Sequence, residues 1–455
     1  LVNRADPNKI ICLTFTKAAA AEMESRILST LSEWATMESK SLAVELSNLL
    51  GKTPNPPQIT LAASLFSLVI NSNKRLNIQT IHAFCQSLLR QFPIEAGVSP
   101  HFSLIDDADN KELLNLSIKK TLNLANNKPR LGDSVNIITS QLHETTFPEV
   151  IKSIVENRSR FESLLKKHGD ITSLVEHTRK FLGADENLTA QDILSKELKA
   201  EQLNREALGK AIDDLKNGKP TDVKNSNKIE RWLNIKEKTV ANFDDYLDIF
   251  FTSERRRGPV RYRKSLVTAN LAKTYPECLE ILNAEAQRLY TLLDNIRTAA
   301  IFQSTKALIV FSDTLLTAYE KEKTQRSVVD YDDLIIKVIK LLTNTNISSW
   351  VLYKLDGGYQ HLLIDEAQDT NPEQWKIIIA VISEFFSGKA SETDSRTVFA
   401  VGDFKQSIYS FQGADPDIFN SIRNNFSYDI PRAKNRWREV SLDVSFRSTN
   451  PILNI

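Results

Sequence analysis

Cysteine is scarce in this chain of 455 residues, which contains only Cys12, Cys85 and Cys278. The three lie far apart, show no spacing typical of a metal site, and cannot supply the four thiolates of an iron–sulfur cluster. An odd number of scattered cysteines predicts a reducing, cytoplasmic compartment rather than a disulfide framework.

Excess charge and long apolar runs are also lacking. The net charge is +1, so no overall basic field indicates a nucleic-acid partner, and any such binding must come from a local groove. No run of about 18 uncharged apolar residues is present, and we expect no membrane span. The opening residues run at once into charged and polar side chains, and we expect no secretory signal. Hydrophobic residues make up 41% and charged residues 25%, a globular composition long enough for about two to four domains.

Short apolar, β-prone runs that end in polar loops occur near both ends of the chain. Such runs are typical of buried parallel strands in an open α/β sheet, which places its ligand at the strands' carboxyl ends. We predict strands at residues 9–15, Tyr359–Ile364, Thr397–Val401 and, more weakly, Val440–Val444, with a helix from Lys17 to about Trp34. Residues 106–305 between them have helical spacing and few strand-like runs, which predicts a large helical insertion.

Two adjacent carboxylates, Asp365 and Glu366, follow the strand that ends at Ile364. ATP hydrolysis needs one carboxylate to hold Mg²⁺ and another to orient the attacking water. We assign Asp365 to Mg²⁺ and Glu366 to the water. A bare Asp-Glu after an apolar run is more often an ordinary helix start. Here, however, the sequence DEAQDTNPEQ resembles the second motif of the UvrD/Rep/PcrA helicases almost letter for letter.

The segment Val401–Ala414 resembles the third motif of the same helicases and is the strongest single match. Gln406, shortly after a strand end, is expected to reach the γ-phosphate of ATP. Phe411 is an aromatic side chain in a polar loop, suited to stacking on an unpaired base. Tyr409 is a second candidate, for which a place in the core is equally expected. Gln412 stands where the family often has arginine, so no cationic role is assigned there.

Three further matches concern DNA and the nucleotide. The segment from Thr14 to Met23 resembles motif Ia, and the segment from Ile78 to Cys85 resembles the T-x-H-x-F-C motif. They imply DNA contacts by Thr14, Phe15, Thr16, Thr80 and His82, although a lone histidine is more often structural. The segment from Asp443 to Thr449 resembles motif IV, which implies Arg447 at the γ-phosphate and Phe446 against adenine. The alternative for Arg447 is a surface arginine before a helix.

A phosphate-binding P-loop, G-x-x-x-x-G-K-[ST], does not occur in the chain. The tripeptide from Gly51 to Thr53 lacks the required earlier glycine, because position 46 is leucine, and it leads into a proline-rich turn. We expect the P-loop upstream of Leu1 and motifs V and VI beyond Ile455. The fragment alone is therefore expected to lack ATPase activity.

Two weaker features remain. The segment Val328–Leu334 resembles the D-[FY]-D-D-L segment that precedes the second motif, and we interpret its carboxylates as helix-capping groups. An arginine cluster in the insertion is either a solvated loop or a DNA contact. Its members are Arg255, Arg256, Arg257, Arg261 and Arg263.

The order and spacing of the motifs resemble superfamily 1A helicases, most closely the AddA helicase–nuclease subunits of alphaproteobacteria. This resemblance implies an α/β, RecA-like P-loop NTPase motor domain interrupted by an all-helical insertion. The implied domains are motor domain 1A in two parts, 1–105 and 306–440, insertion 1B at 106–305, and the start of domain 2A at 441–455.

The same resemblance implies a function. It predicts ATP as substrate, Mg²⁺ as cofactor, Gln368 among the ATP-binding residues, 3′→5′ translocation on DNA, processing of double-strand-break ends, and an AddB-like partner. The main alternative is a motor-dead DNA-binding or scaffold subunit, and a third is a truncated product without a function of its own.

Overall fold

The computed structural model describes most of the chain. The described residues are 1–71, 76–143, 145–185, 188–199, 203–256, 258–343, 348, 350, 351, 354, 359–387, 396–407, 416–432 and 436–441. They divide into two compact units, one formed by residues 1–110 with 323–455 and the other by residues 111–322. Position 305, where the sequence predicted the end of the insertion, lies inside a helix that runs from Pro276 to Arg326.

The strands of the first unit form two parallel sheets. The strands are β1 (Ile10–Thr14), β2 (Asn77–Thr80), β3 (Ser103–Leu104), β4 (Val328–Val329), β5 (His361–Ile364) and β6 (Thr397–Ala400). Four of them make one sheet in the order β2-β1-β5-β6, and β3 pairs with β4 in a separate two-stranded sheet. All pairs are parallel. The α/β class and three predicted strands are confirmed, whereas β2, β3 and β4 were not predicted.

The fourth predicted strand, Val440–Val444, is not observed in its described part. Val440 and Ser441 have no regular structure, and positions 442–444 lie outside the described residues. The side chain of Val440 is exposed, with 63% of its surface accessible, so it does not bury against an apolar partner as a core strand would.

The helices of the first unit surround the four-stranded sheet. They are α1 (Lys17–Thr36), α2 (Ser39–Leu50), α3 (Pro56–Asn71), α4 (Ile81–Gln91), the first residues of α5 (Asp107–Ala125), the last residues of α15 (Pro276–Arg326), α16 (Tyr331–Thr343), α17 (Pro372–Ser387) and α18 (Pro416–Arg432). The main core joins apolar residues of the sheet, such as Ile11 and Leu362, to those of α4, α16 and α17. Alternate burial along β1 and β5 places this core against the sheet.

Helix ends explain two local features. Thr16 caps α1 by accepting a hydrogen bond from the Ala19 amide at 3.1 Å. Gly51, at the end of α2, has φ of 65° and its amide donates to the Ser47 carbonyl at 2.9 Å. This left-handed cap is the usual use of glycine at a helix end. The tripeptide that begins at Gly51 is therefore a helix terminus and not a phosphate loop, as the sequence predicted.

The second unit contains helices and no strand among its described residues. Its helices are α6 (Pro129–Gln141), α7 (Phe147–Glu156), α8 (Arg158–His168), α9 (Ile171–Leu182), α10 (Ala190–Leu198), α11 (Arg205–Lys216), α12 (Pro220–Asn234), α13 (Val240–Phe250) and α14 (Ala269–Thr274), with most of α5 and α15. One isolated antiparallel bridge joins Phe251 and Tyr262. Two separate apolar clusters hold the unit, one around Trp232 and Tyr246 and one around Phe311.

Helix α15 is the one described helix that is long and apolar enough to cross a membrane by length and composition alone. The mean hydropathy of its most apolar 18-residue window is 1.2, and 33% of that window is buried. Core helices pass the same test, and Ala307, Phe311 and Leu315 of α15 are fully buried in the apolar cluster with Leu131 and Ile151. We interpret α15 as a core helix of the second unit.

Candidate active site

The carboxyl ends of β1, β5 and β6 meet at one edge of the sheet. Leu13 pairs with Ile364, and Ile364 pairs with Ala400. The pairing continues for one residue past the strands, because the Asp365 amide donates to the Leu13 carbonyl at 2.9 Å and the Val401 amide donates to the Ile364 carbonyl at 2.9 Å. Asp365 therefore leaves the sheet at the edge where open parallel sheets bind ligands.

The backbone turns sharply at Glu366, which has φ of 51° and ψ of 45°. The left-handed conformation costs a residue with a side chain roughly 1–2 kcal/mol. Such strain is concentrated at functional sites, where the surrounding structure holds it. Here a short 3₁₀ helix, Ala367–Asp369, stabilises the conformation of Glu366, because the Asp369 amide donates to the Glu366 carbonyl at 2.9 Å. Asp365 and Glu366 are both half-buried.

The side chain of Gln368 lies beneath this turn. It is 1% exposed, its Nε2 donates to Glu366 Oε2 at 2.5 Å, and its Oε1 accepts from the Asp403 amide at 3.0 Å. The sequence predicted a direct contact of Gln368 with ATP. Its burial argues against that contact, because both ends of the amide are already bonded to protein groups.

The predicted γ-phosphate residue Gln406 lies in the next loop, at the end of the 3₁₀ helix Phe404–Gln406. Its side chain is exposed, and Nε2 donates to Asp403 Oδ2 at 2.9 Å. Asp403 also accepts from the Lys405 amide at 3.0 Å. These bonds, the Lys405 amide first and then the Gln406 side chain, lower the pKa of Asp403. The structure thus links Gln406 to the same loop residue that binds Gln368.

The thiol of Cys12 also lies near the Asp365 carboxylate. Cys12 is on β1, and burial together with the nearby charge of Asp365 raises its pKa. From the sequence, this cysteine indicates only the cellular compartment. Its pairing with Leu363 of β5 explains why it lies near Asp365, a relationship that a linear motif does not reveal.

No group of three or more histidine, cysteine, aspartate or glutamate side chains that could hold a metal is found in the part of the chain that the structure describes. This is compatible with Mg²⁺, which is usually held by one or two carboxylates together with substrate phosphates and water. Asp365 and Glu366 offer that kind of oxygen donor.

The motif Ia residues differ in accessibility. Thr14 is 1% exposed and its Oγ1 donates to the Thr16 carbonyl at 2.9 Å, so its hydroxyl is occupied inside the protein. Phe15 is half-buried and Thr16 is exposed at the start of α1. The structure therefore favours Thr16 over Thr14 as the hydroxyl that DNA can reach.

Thr80 and His82 lie at the neighbouring helix start. Thr80 pairs with Thr14 across the β1–β2 ladder, and it caps α4 through the Ala83 amide at 3.2 Å. His82 is half-buried and packs edge-to-face on Tyr331, with ring centroids 5.7 Å apart. Burial lowers the pKa of His82, and the charge of Asp332 opposes that shift. The Tyr331 contact was not predicted.

Four predicted site residues, Tyr409, Phe411, Phe446 and Arg447, lie outside the described residues. Their contacts with DNA and ATP therefore stay predictions.

The carboxylates of the Val328–Leu334 segment are capping groups, as predicted. The Asp330 amide donates to Asp333 Oδ2 at 3.1 Å, and the Asp333 amide donates to Asp330 Oδ1 at 2.8 Å. The sequence did not reveal their cation, Lys323, which is 1% exposed and lies 2.6 Å from Asp333 and 3.4 Å from Asp330.

The arginine cluster is not a uniformly solvated loop. The Arg255 side chain is 3% exposed and forms ion pairs with Asp248 and, at 3.2 Å, with Asp244. Arg261 and Arg263 are both exposed; Arg263 donates to the Phe251 carbonyl at 3.4 Å, and Arg261 lies 3.3 Å from Glu254. Arg257 lies outside the described residues. Arg255, the buried member of the cluster, is thus used in packing the second unit.

Comparisons with known proteins agree with one another. A family model described as the UvrD/REP helicase N-terminal domain matches residues 1–427. The chain is 26% identical to the AddA subunit of the ATP-dependent helicase/nuclease of Bacillus pumilus (strain SAFR-032), over 99% of the chain and 35% of that protein. It is 25% identical to the protein of the same name from Staphylococcus epidermidis, over 99% of the chain and 35% of that protein, and 22% identical to that from Lactobacillus acidophilus, over 99% and 36%. The chain spans about a third of the length of the curated relatives it matches.

Proposed function

This chain belongs to the UvrD/Rep helicase family, and we propose from that membership that the full-length protein couples ATP hydrolysis to 3′→5′ movement along single-stranded DNA. The observation that carries the proposal is the strained turn at Glu366, directly after a strand end, with its side chain bonded to the amide of Gln368. A helix start needs no such turn, so the geometry favours a catalytic pair over the ordinary interpretation of Asp-Glu.

We assign the first unit to a RecA-like motor domain and the second to its helical insertion. The parallel order β2-β1-β5-β6 supports the motor domain, and the helices of residues 111–322 support the insertion. In this scheme residues 1–110 and 323–440 form motor domain 1A, residues 111–322 form domain 1B, and residues 441–455 begin domain 2A.

The site residues have distinct roles in the proposed hydrolysis. Asp365 would hold Mg²⁺ at the sheet edge, where the ion, when bound, would supply charge neutralisation on the phosphates. Glu366 orients the attacking water and accepts its proton. Gln406 and Arg447 contact the γ-phosphate, with the arginine fork spreading charge over its oxygens. Phe446 packs against adenine.

The DNA strand passes the same edge of the sheet in this proposal. Thr16 and Thr80 mark the starts of α1 and α4, where backbone amides favour phosphate groups. Phe15 and His82 flank these positions. In this proposal Phe411 stacks on a base and Tyr409 is a second DNA contact, so that the segment containing Gln406 connects nucleotide to DNA.

The relatives, which are named as parts of a helicase/nuclease, suggest the wider setting. We propose that the full-length protein acts on DNA ends in double-strand break repair, in the cytoplasm, together with an AddB-like partner. A nuclease activity would reside in residues outside this chain.

The rival proposal is a motor-dead protein that binds DNA without hydrolysing ATP. Glu366, Gln406 and their hydrogen bonds argue against it, because a protein that only binds DNA has no need of a positioned carboxylate. A P-loop in the complete gene favours the motor, and its absence favours the rival.

The test measures ATP hydrolysis by the full-length protein with and without single-stranded DNA, and unwinding of duplexes that carry either a 3′ or a 5′ tail. We expect DNA-stimulated hydrolysis and unwinding from the 3′ tail. DNA binding without hydrolysis contradicts the motor, and preference for the 5′ tail contradicts the polarity. Residues 1–455 alone are expected to show no DNA-stimulated ATP hydrolysis. Hydrolysis of ATP by these residues would overturn that expectation.

A further inference from the structure

Gln368 connects the carboxylate of Glu366 to the loop that follows β6, and we propose that it is a positioning residue through which that loop sets the orientation of Glu366. The inference rests on the proposed function, since it concerns the carboxylate that activates water there. Gln368 is not a catalytic residue in this scheme, because its buried amide touches protein groups only.

The orientation of the Gln368 amide is determined by its partners. The Asp403 amide is a donor, so Oε1 must face it, and the Glu366 carboxylate is an acceptor, so Nε2 must face that group. The observed distances, 3.0 Å and 2.5 Å, agree with this single arrangement. Reversing the Gln368 amide would place its NH₂ group against the Asp403 amide and its oxygen against the Glu366 carboxylate. The amide therefore has a single favourable orientation.

Its surroundings give the side chain no room to move independently. Gln368 is 1% exposed. A methyl group on Gly402 would meet Gln368 Oε1 at 2.7 Å, Phe419 at 3.1 Å and Ala367 at 3.2 Å. Phe419 in turn stacks on buried Trp375 with centroids 5.9 Å apart. Because the packing is this close, a displacement of Gly402 or Phe419 is transmitted to the Gln368 side chain.

The connection extends to the predicted γ-phosphate residue. Glu366, Gln368, Asp403 and Gln406 are joined in that order by three hydrogen bonds of 2.5, 3.0 and 2.9 Å. The middle bond uses the backbone of Asp403, and the last uses its carboxylate. A shift of the loop that lets Gln406 leave Asp403 therefore also moves the amide that holds Gln368, and with it the Glu366 carboxylate.

Two substitutions separate positioning from folding in the full-length protein. Gln368→Glu keeps the size and the acceptor for the Asp403 amide but places a second carboxylate against Glu366. Gln368→Met keeps the approximate size and removes the hydrogen bonds to Glu366 and the Asp403 amide, with the longer one to Asp369 at 3.5 Å. The matched control is Gln374→Met, because Gln374 is also a buried glutamine, 3% exposed, whose Oε1 accepts from the Asn371 amide at 3.1 Å, but which does not contact Glu366.

Steady-state kinetics of DNA-stimulated ATP hydrolysis provide the measurement, with thermal unfolding of each variant alongside. We expect both Gln368 variants to lower kcat by roughly 10- to 100-fold, since a misplacement of about 1 Å of a catalytic group is that harmful, while KM for ATP changes by less than about threefold. For Gln368→Glu the acid limb of the pH–rate profile moves to higher pH by about one unit or more, because two adjacent carboxylates resist joint ionisation. Gln374→Met is expected to lower the unfolding temperature without these kinetic changes.

The proposal is overturned if the Gln368 variants keep the wild-type kcat and pH profile, or if Gln374→Met reproduces their kinetic pattern. Should Gln368→Met not fold, Gln368→Glu alone decides by its kcat. Exchange of the Asp403 amide hydrogen adds a second readout, since Gln368→Met should accelerate it and Gln368→Glu should not. A wild-type protein without DNA-stimulated ATP hydrolysis contradicts the proposed function itself. An active wild-type protein whose Gln368 variants have an unchanged kcat contradicts only the positioning role.

Discussion

Gly402 lies against the side chain of Gln368 so closely that a methyl group on its Cα would stand 2.7 Å from Gln368 Oε1. The φ angle of Gly402 is not in the left-handed region, since the positive-φ glycines among the described residues are Gly51, Gly97, Gly169 and Gly183. Glycine is therefore needed at 402 for space and not for backbone conformation.

Gly402→Ala is the first prediction. The new methyl group displaces Gln368 Oε1 from the Asp403 amide, so we expect a loss of about 1–3 kcal/mol in the free energy of unfolding from overpacking, together with slower ATP hydrolysis. Chemical denaturation and the hydrolysis rate are the measurements.

The matched control for that substitution is Gly209→Ala. Gly209 lies within α11 and has nothing within 4 Å of an added methyl group. Alanine is favoured over glycine inside a helix by about 1 kcal/mol, so this variant should be at least as stable as the wild type. Equal stability of both variants contradicts the close contact at Gly402.

Lys323→Met is the second prediction. The substitution leaves the carboxylates of Asp330 and Asp333 buried without their cation. Breaking a buried ion pair in this way costs about 3–5 kcal/mol, and urea titration should show a loss of that size. Lys376→Met is the control, because the Lys376 pair with Glu373 is on the surface and contributes about 0–1 kcal/mol. Similar losses for the two variants would refute the structural role of Lys323.

The third prediction separates two threonine caps. Thr16→Val and Thr80→Val each remove a side-chain cap and should each destabilise by about 1 kcal/mol. Thr16 is exposed, whereas Thr80 is buried, with 7% of its surface accessible. The affinity for single-stranded DNA should therefore fall for Thr16→Val and stay near the wild-type value for Thr80→Val. Fluorescence anisotropy measures the affinity, and Thr16→Ser is the variant expected to retain it. Weaker binding by Thr80→Val alone would reverse the assignment.

The fourth prediction concerns the pH dependence contributed by His82. Its pKa in the folded protein is lowered below 6.5 by burial, so the unfolded chain binds the proton more readily than the folded one. The stabilising contribution is thus complete above about pH 6.5 and is lost as the pH falls below that value. His82→Gln should reduce the decline in unfolding free energy between about pH 6.5 and 5.5. A His82 ring titration by NMR with a midpoint at or above 6.5 would contradict this account.

The parts of the fold that have a strong local signal could be predicted from the sequence. An apolar run that leads directly into a helix identified β1, and apolar runs that end on a carboxylate or a glycine identified β5 and β6. Strand β2 was missed because, of its four residues, only Ile78 and Thr80 favour a strand. It is a strand because it pairs with Ile11–Thr14, which no local pattern encodes.

The candidate site residues could be named from the sequence, but the hydrogen bonds and ring contacts that connect them could not. Asp365, Glu366 and Gln406 were identified from motifs, and the left-handed turn at Glu366 explains how neighbouring carboxylates leave the strand. The bond from Gln368 to Asp403 joins residues 35 positions apart, and the contact of His82 with Tyr331 depends on the packing of α4 against α16. Such pairings require the fold, because motif spacing does not fix distances between separate loops.

The account depends most directly on Glu366, and Glu366→Gln in the full-length protein is the decisive substitution. We predict that DNA-stimulated ATP hydrolysis falls by roughly 100-fold or more, as expected for removal of a general base, while ATP binding persists. Glu373→Gln, a change of the same chemistry at an ion pair on helix α17, should hydrolyse ATP at the wild-type rate. A Glu366→Gln protein that hydrolyses ATP as fast as the wild type would contradict the assignment of the hydrolysis site.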